Sequence, residues 1–158
     1  MEIGMRVIGA SPFCNSFFDA GYLKGKIPKV YRRRLNWVRE IFDRDDKGLG
    51  SKKEVFEWEV PGWTFHAKQF NLRLGGGEGD WFLNTIGSNN FNRRSFERDI
   101  ESSMFLFSKS EILRSKIAAE QANIEKSLIK LDAERAAQKF MRYGPVDYTL
   151  DYLFRSFT

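Results

Sequence analysis

The chain has 158 residues and a net charge of +5, long enough to bury a real core and with a cationic excess that favours anionic partners: phosphate groups, acidic lipid surfaces or nucleic acid. Cys14 and His66 are the sole cysteine and histidine, which excludes an internal disulfide and the usual structural zinc sets; no acidic cluster suggests a magnesium site, so no metal and no cofactor is expected. No run of about 18 apolar residues is present to span a bilayer as a helix, and the opening "MEIGMRVIGAS" has the form of neither a signal peptide nor an amphipathic presequence.

"MRVIGA", Met5 to Ala10, predicts a buried strand, followed by the Gly-, Ser- and aromatic-rich loop "SPFCNSFFDAGYLKGKI". Pro28 suits the first turn of a helix, "PKVYRRRLNWVREIF", that turns Val30, Leu35, Val38 and Ile41 toward a core. After the charged connection "DRDDKGLGSKK" come two extended runs, "EVFEWEV" and "GWTFHAKQFNLRL", parted by the turn signal Pro61-Gly62. "GGGEGD" reads as a hairpin tip, "WFLNTIGS" as the returning strand, and "NNFNRRSFERDIESSMFLFS" as a short turn or helix and then a strand ending near Phe107. Ser108 and Glu111 make a capping-box pattern. Beyond them Leu113, Ile117, Ile124, Leu128 and Leu131 recur at helical spacing and predict one long amphipathic helix, ending before Gly144-Pro145. The tail "VDYTLDYLFRSF" reads as a short aromatic helix. Core packing is the ordinary role of such an apolar stripe, with a partner helix or a membrane contact as the alternative.

The order β-α-β-β-β-β-α-α implies an α/β (α+β) fold in which a mixed β-sheet is flanked by helices. We read residues 1–158 as a single domain, with a motif-bearing region at 63–107 and a helical C-terminal region at 108–158.

Residues i and i+2 of a strand share a face. Trp63, Phe65 and Ala67 would then face a core while His66 and Lys68 point the other way together, a pair better suited to an anion than to an interior. Gly87 ends the next strand, where a glycine lets backbone approach a ligand, and Ser88 and Asn90 add hydrogen-bond donors. A helix N-terminus after them would supply backbone N–H groups. If the two strands are neighbours through the hairpin, His66, Lys68, Ser88 and Asn90 converge on one phosphate. Glu101, on the following strand run, could hold the other ring nitrogen of His66 and fix its tautomer. Taken singly, H-x-K is usually a surface accident, G-S-x-N usually a turn and a lone Glu usually solvated. Their order along the chain carries the weight.

That order, "HAK" followed by "GSNN", resembles the phospholipase D superfamily, whose signature is H-x-K-x4-D and then G-S-x-N. Arg73 stands where the signature has its aspartate; Asp80, in the glycine loop, has the wrong spacing to replace it. More narrowly, "GWTFHAK…TIGSNNFNRRSFERDIESS", with the upstream "GASPFCNSFFDAGYLKGKIPKVY" and the closing "LFRSF", is similar to the second catalytic half of the CDP-diacylglycerol–glycerol-3-phosphate 3-phosphatidyltransferase family. The resemblance implies a phospholipase D-like single half with catalytic His66, Lys68 and Glu101. Ser88 and Asn90 would bind the substrate phosphate, and Arg94, Arg98 and Asp99 would support them. It implies transfer of a phosphatidyl group from CDP-diacylglycerol to glycerol 3-phosphate, on the route to cardiolipin, through a phosphohistidine and without metal. By the same resemblance the protein would sit on the matrix side of the mitochondrial inner membrane, against an anionic membrane surface, with nucleic acid not its partner.

Such chemistry uses two histidines, and this chain has one. It is expected to be the C-terminal portion of a longer two-motif enzyme, a reading favoured by its start on a buried-looking strand. A homodimer pairing two copies of His66, acting as a metal-independent phosphodiesterase or nuclease, and a non-catalytic remnant that binds lipid surfaces are the alternatives. The basic run "KGKIPKVYRRR" would hold cytidylate phosphates, anionic headgroups or nucleic acid, or else be an exposed helix face.

Overall fold

The computed structural model describes residues 4–45, 52–75, 80–90, 93–138, 145, 148, 149 and 152, with backbone alone at 23, 93 and 94. Its contacts group into two units, Met1–His66 with Ile124–Asp151, and Ala67–Asn123 with Tyr152–Thr158.

In the first unit β1 (Met5–Ala10) runs parallel to β2 (Lys53–Trp58), from Met5 opposite Lys53 to Ala10 opposite Trp58. A parallel pair needs a crossover, and α2 (Ile27–Asp45) lies within it, after the single turn α1 (Gly21–Lys24). The helix packs on the sheet closely enough that a Cβ on Gly9 would stand 3.0 Å from Leu35 Cδ2. Val30, Val55, Cys14 and Leu131 form the apolar core of this unit.

That core also contains charge. Glu57, on β2, is completely buried, and Arg32 of α2 brings its Nε within 2.9 Å of Glu57 Oε1. Arg135, on the four-residue helix α5 (Ala133–Ala136), donates from Nε to Glu57 Oε2 and from Nη2 to Glu59 Oε2, both at 2.6 Å. Arg32 Nη2 then donates to the Arg135 carbonyl at 2.6 Å. Two guanidinium groups and two carboxylates thus neutralise one another and tie α2, β2 and α5 together. Burial lowers the Arg32 pKa, with Glu57 opposing that shift. The basic run is therefore not a uniformly exposed face: Arg32, the first of its three consecutive arginines, points inward, and Arg33 lies 4.9 Å from the ring of Tyr148.

The single long C-terminal helix does not form. Its helix, α4 (Glu111–Glu125), stops at Glu125, and Leu128–Lys130 becomes a strand, β6, antiparallel to β2. Leu131, 1% exposed, gives its N–H to the Val55 carbonyl at 2.9 Å. The apolar residues at 128 and 131 are satisfied by a sheet edge, while no residue of α4 is buried. The helix cap also moves: Ser108 ends a strand, and Ser110 Oγ accepts the Leu113 N–H at 3.4 Å. Most of the expected tail helix, with Gly144, falls outside the described residues, as does the tip of the glycine hairpin.

The second unit is an antiparallel meander of β3 (Gln69–Leu74), β4 (Trp81–Gly87) and β5 (Ser103–Ser108), with α3 (Arg93–Glu97) between the last two strands. The strands thus divide between two three-stranded sheets, one mixed and one antiparallel. One side of the meander buries Phe82 and Asn84, whose Nδ2 donates to Asn71 Oδ1.

Candidate active site

β3 starts later than the sequence suggests. Residues 63–68 have no regular secondary structure and lie outside the sheet, and pairing begins at Gln69 opposite Ile86. The cause is the length of the partner, because β4 ends at Gly87, whose N–H reaches the Lys68 carbonyl at 3.4 Å and leaves nothing for residues further upstream. His66 and Lys68 consequently share no strand face. His66 is exposed and closes the first unit; Lys68 is half-buried at the mouth of the second.

Opposite Lys68 the chain makes a tight clamp. Ser88 gives its N–H to the Ser102 carbonyl at 2.9 Å and accepts the Ser102 N–H on Oγ at 3.0 Å. The strands approach so closely here that a Cβ on Gly87 would collide with Ser103 Oγ and lie 2.6 Å from the Ser102 carbonyl oxygen. This is the steric reason for glycine at the head of the motif. The clamp fixes the Ser88 hydroxyl, which donates its proton to Glu101 Oε2. Glu101 precedes β5 rather than lying on it. Its carboxylate also acts on Lys68: burial lowers the Lys68 pKa and the charge of Glu101 pulls it back up, with burial the larger effect. A hydroxyl and a carboxylate thus bond to one another just beyond the end of β4, within electrostatic reach of the Lys68 ammonium.

Asn90 lies two residues beyond Ser88 in the same exposed loop, its N–H held by the hydroxyl of buried Ser95 at 3.3 Å. Ser95, on α3, was not singled out from sequence, although it lies within the quoted motif. Arg94 is on α3; Arg98 and Asp99 follow it, the first exposed and the second half-buried. Arg73 pairs opposite Phe82 at the far end of β3. Asp80 is further still, its carboxylate filling the space where a Cβ on Gly75 would go. With a rise of about 3.3 Å per residue, neither can serve the Lys68 end. Beside Lys68 opens a pocket of about 280 Å³ lined by Phe70, Leu83, Asn89, Phe96 and Phe105. These apolar walls were missed because they sit on three separate strands and a helix. Among the described residues no group of three His, Cys, Asp or Glu could hold a metal ion, and no helix is long and apolar enough to cross a membrane.

No protein-family model matches the chain. It is 35% identical over 121 residues to the mitochondrial CDP-diacylglycerol–glycerol-3-phosphate 3-phosphatidyltransferase of Cricetulus griseus, covering 75% of this chain and 21% of that protein. The human mitochondrial protein of the same name is 32% identical over 120 residues, with the same coverage of both chains. The chain is similar to a segment of these phosphatidyltransferases. The Saccharomyces cerevisiae relative agrees, at 31% over 132 residues, 75% of this chain and 24% of that protein. The chain thus spans about a fifth to a quarter of the curated relatives it matches. In three dimensions it matches the phosphatidylserine synthase of Haemophilus influenzae with a TM-score of 0.65 at 17% identity, over 96% of this chain and 33% of that one. At that identity the likeness is one of fold alone.

Proposed function

We propose that this chain carries the second H-x-K half of the active site of a CDP-diacylglycerol–glycerol-3-phosphate 3-phosphatidyltransferase. The observation that supports this reading is the Ser88–Glu101 bond at the end of β4, with Lys68 lining the adjoining pocket and feeling the Glu101 charge, in a chain whose single imidazole is two residues from Lys68 in sequence. A phosphoryl group bound there would find a cation and a fixed hydroxyl for its equatorial oxygens as negative charge builds in the transition state. Asn90 adds a donor from the same loop.

In the first step a histidine of the other motif attacks the β-phosphorus of CDP-diacylglycerol; the phosphoanhydride bond breaks, leaving a phosphatidyl-histidine and CMP. His66, as imidazolium, gives its proton to the departing CMP oxygen. In the second step neutral His66 takes the proton of the 1-hydroxyl of glycerol 3-phosphate, whose oxygen attacks phosphorus as the P–N bond breaks, giving phosphatidylglycerophosphate. Lys68 and Ser88 hold the phosphoryl oxygens throughout. The second imidazole comes from the remainder of a longer polypeptide. By relation to the mammalian proteins the site of action is the mitochondrion, on the matrix face of the inner membrane, where a basic protein meets anionic lipid.

CMP release from CDP-diacylglycerol and glycerol 3-phosphate, in EDTA, by a two-motif polypeptide that contains this chain tests the reaction, and inorganic phosphate binding by the chain alone tests the half-site. Turnover that vanishes in His66→Ala, together with phosphate binding weakened in Lys68→Ala, supports the proposal. No CMP release and a phosphate affinity indifferent to Lys68 would refute it. The lone histidine favours one second reading, a homodimeric phosphodiesterase with two copies of His66 across a two-fold axis. DNA cleavage that rises with the square of protein concentration would select that reading instead.

A further inference from the structure

The meander of the second unit has one side that the reaction does not use. Phe70, Leu72 and Leu74 of β3 stand in register with Thr85, Leu83 and Trp81 of β4, and Thr85 and Leu83 with Phe105 and Phe107 of β5. Alternation puts these side chains, with Gly87 at one end, on a single face, and Lys68 lines the pocket at that end. It is an apolar face and an open one: Phe105 is 71% exposed and Phe107 55%. Trp81 and Phe107 stack at 4.3 Å at the far end, where the Lys109 ammonium lies 4.9 Å from the Trp81 ring. A contiguous aromatic surface of this kind marks a binding site on a folded protein.

We propose that this face binds an acyl chain of the phospholipid whose phosphoryl group is held at Lys68, a refinement that rests on the function proposed above. Three observations select a lipid tail as the occupant. The pocket at the head of the tract is walled by Phe70, Leu83, Phe96 and Phe105 yet includes Lys68 and Asn89, so the apolar surface is continuous with the phosphate end. The cationic group at that end complements a phosphodiester bonded to the lipid, an arrangement of charge followed by hydrocarbon that a soluble phosphate ester lacks. The tract also has the right length. From Gln69 to Leu74 the strand advances about 17 Å, and an acyl chain crosses half of a hydrocarbon layer of about 30 Å.

The test uses phosphatidic acids of increasing acyl length, kept below their aggregation concentrations, with Trp81 fluorescence as the readout and inorganic phosphate as the headgroup probe. Affinity is expected to rise roughly fourfold for each buried methylene. In Leu72→Ser, and separately in Leu74→Ser, neither of which lines the pocket beside Lys68, that dependence flattens while phosphate affinity holds; both side chains are exposed enough for the variants to fold. Mid-chain bromine should quench Trp81, a signal lost in Trp81→Phe. Affinity independent of acyl length, or a length dependence unchanged in both serine variants, overturns the proposal. So does light scattering that shows the wild type dimeric and Leu72→Ser monomeric, because the face would then be a protein contact. A phosphate affinity indifferent to Lys68→Ala would instead refute the catalytic reading and leave the length dependence to be judged by itself.

Discussion

The pH dependence of anion binding tests the Lys68–Glu101 pair directly. Burial pushes the Lys68 ammonium below the ordinary lysine value of about 10.4, and the Glu101 carboxylate opposes that push without cancelling it. Binding that depends on the ammonium is therefore complete below the lowered pKa and is lost as pH rises through it, so the alkaline limb falls earlier than an exposed lysine would give. A charge-assisted hydrogen bond contributes roughly 1.5–3 kcal/mol, so the limb should span a loss of about 10- to 150-fold in phosphate affinity. Glu101→Gln removes the contribution that raises the pKa and should move the limb to lower pH. Lys68→Arg should abolish it within the accessible range, and Lys68→Met should flatten the profile at the weaker level. Calorimetric titration of inorganic phosphate between neutral and strongly alkaline pH, on all four proteins, gives the curves. A limb in Glu101→Gln that is unmoved or shifted upward, or one that survives in Lys68→Met, would refute the electrostatic account.

Other consequences concern the frame. Glu57→Gln strips one charge from a buried cluster of two arginines and two carboxylates, and urea unfolding should show a loss of about 3–5 kcal/mol. Glu125→Gln, which breaks the solvent-exposed pair with Arg6, should cost under about 1 kcal/mol. Cys14 Sγ is 3.2 Å from both the N–H and the carbonyl of Val60; Cys14→Ser retains both partners and should leave activity nearly intact, while Cys14→Ala strands them at a cost of about 1–3 kcal/mol. Leu131→Ala should cost about 2–5 kcal/mol and Leu113→Ala clearly less, since Leu131 is buried in the first unit and no residue of α4 is. Equal losses would restore the single-helix reading.

What could be read from the sequence, and what could not, divides along the range of the interactions. β1, β2, β4 and the crossover helix were legible because their apolar patterns and turn residues are local. The order of the motif also foretold that Ser88 and Glu101 lie near one another, and their hydroxyl–carboxylate bond joins two separate parts of it. The misread helix at 126–131 has a different origin. Ile124, Leu128 and Leu131 keep helical spacing, but the partner that makes 128–130 a strand is Phe56–Trp58, some 70 residues upstream. Arg32 looked like one more cation of a basic run for the same reason: Glu57 and Arg135, which draw it inward, are far off in sequence. His66 was placed on a strand by good alternation, yet a strand extends only as far as its neighbour, and β4 stops at Gly87. Periodicity reports which face a residue would take, not whether a partner is there to meet it.

The proton at Ser88 ties these features to the proposed chemistry. A serine hydroxyl has one hydrogen to give, and here Glu101 takes it. The same carboxylate supports the charge of Lys68. Glu101 thus engages both groups that a phosphoryl oxygen would use, and a bound phosphate must compete with it for the hydroxyl while being repelled by its charge. Loss of that charge should therefore tighten ground-state binding of inorganic phosphate at neutral pH. If Glu101 also serves to hold a histidine for proton transfer, the same variant should turn over more slowly. A Glu101→Gln protein that binds phosphate more tightly and releases CMP more slowly fits a carboxylate that competes with the phosphoryl group and is displaced by substrate. Weaker phosphate binding at neutral pH would mean that Glu101 builds the site rather than occupies it.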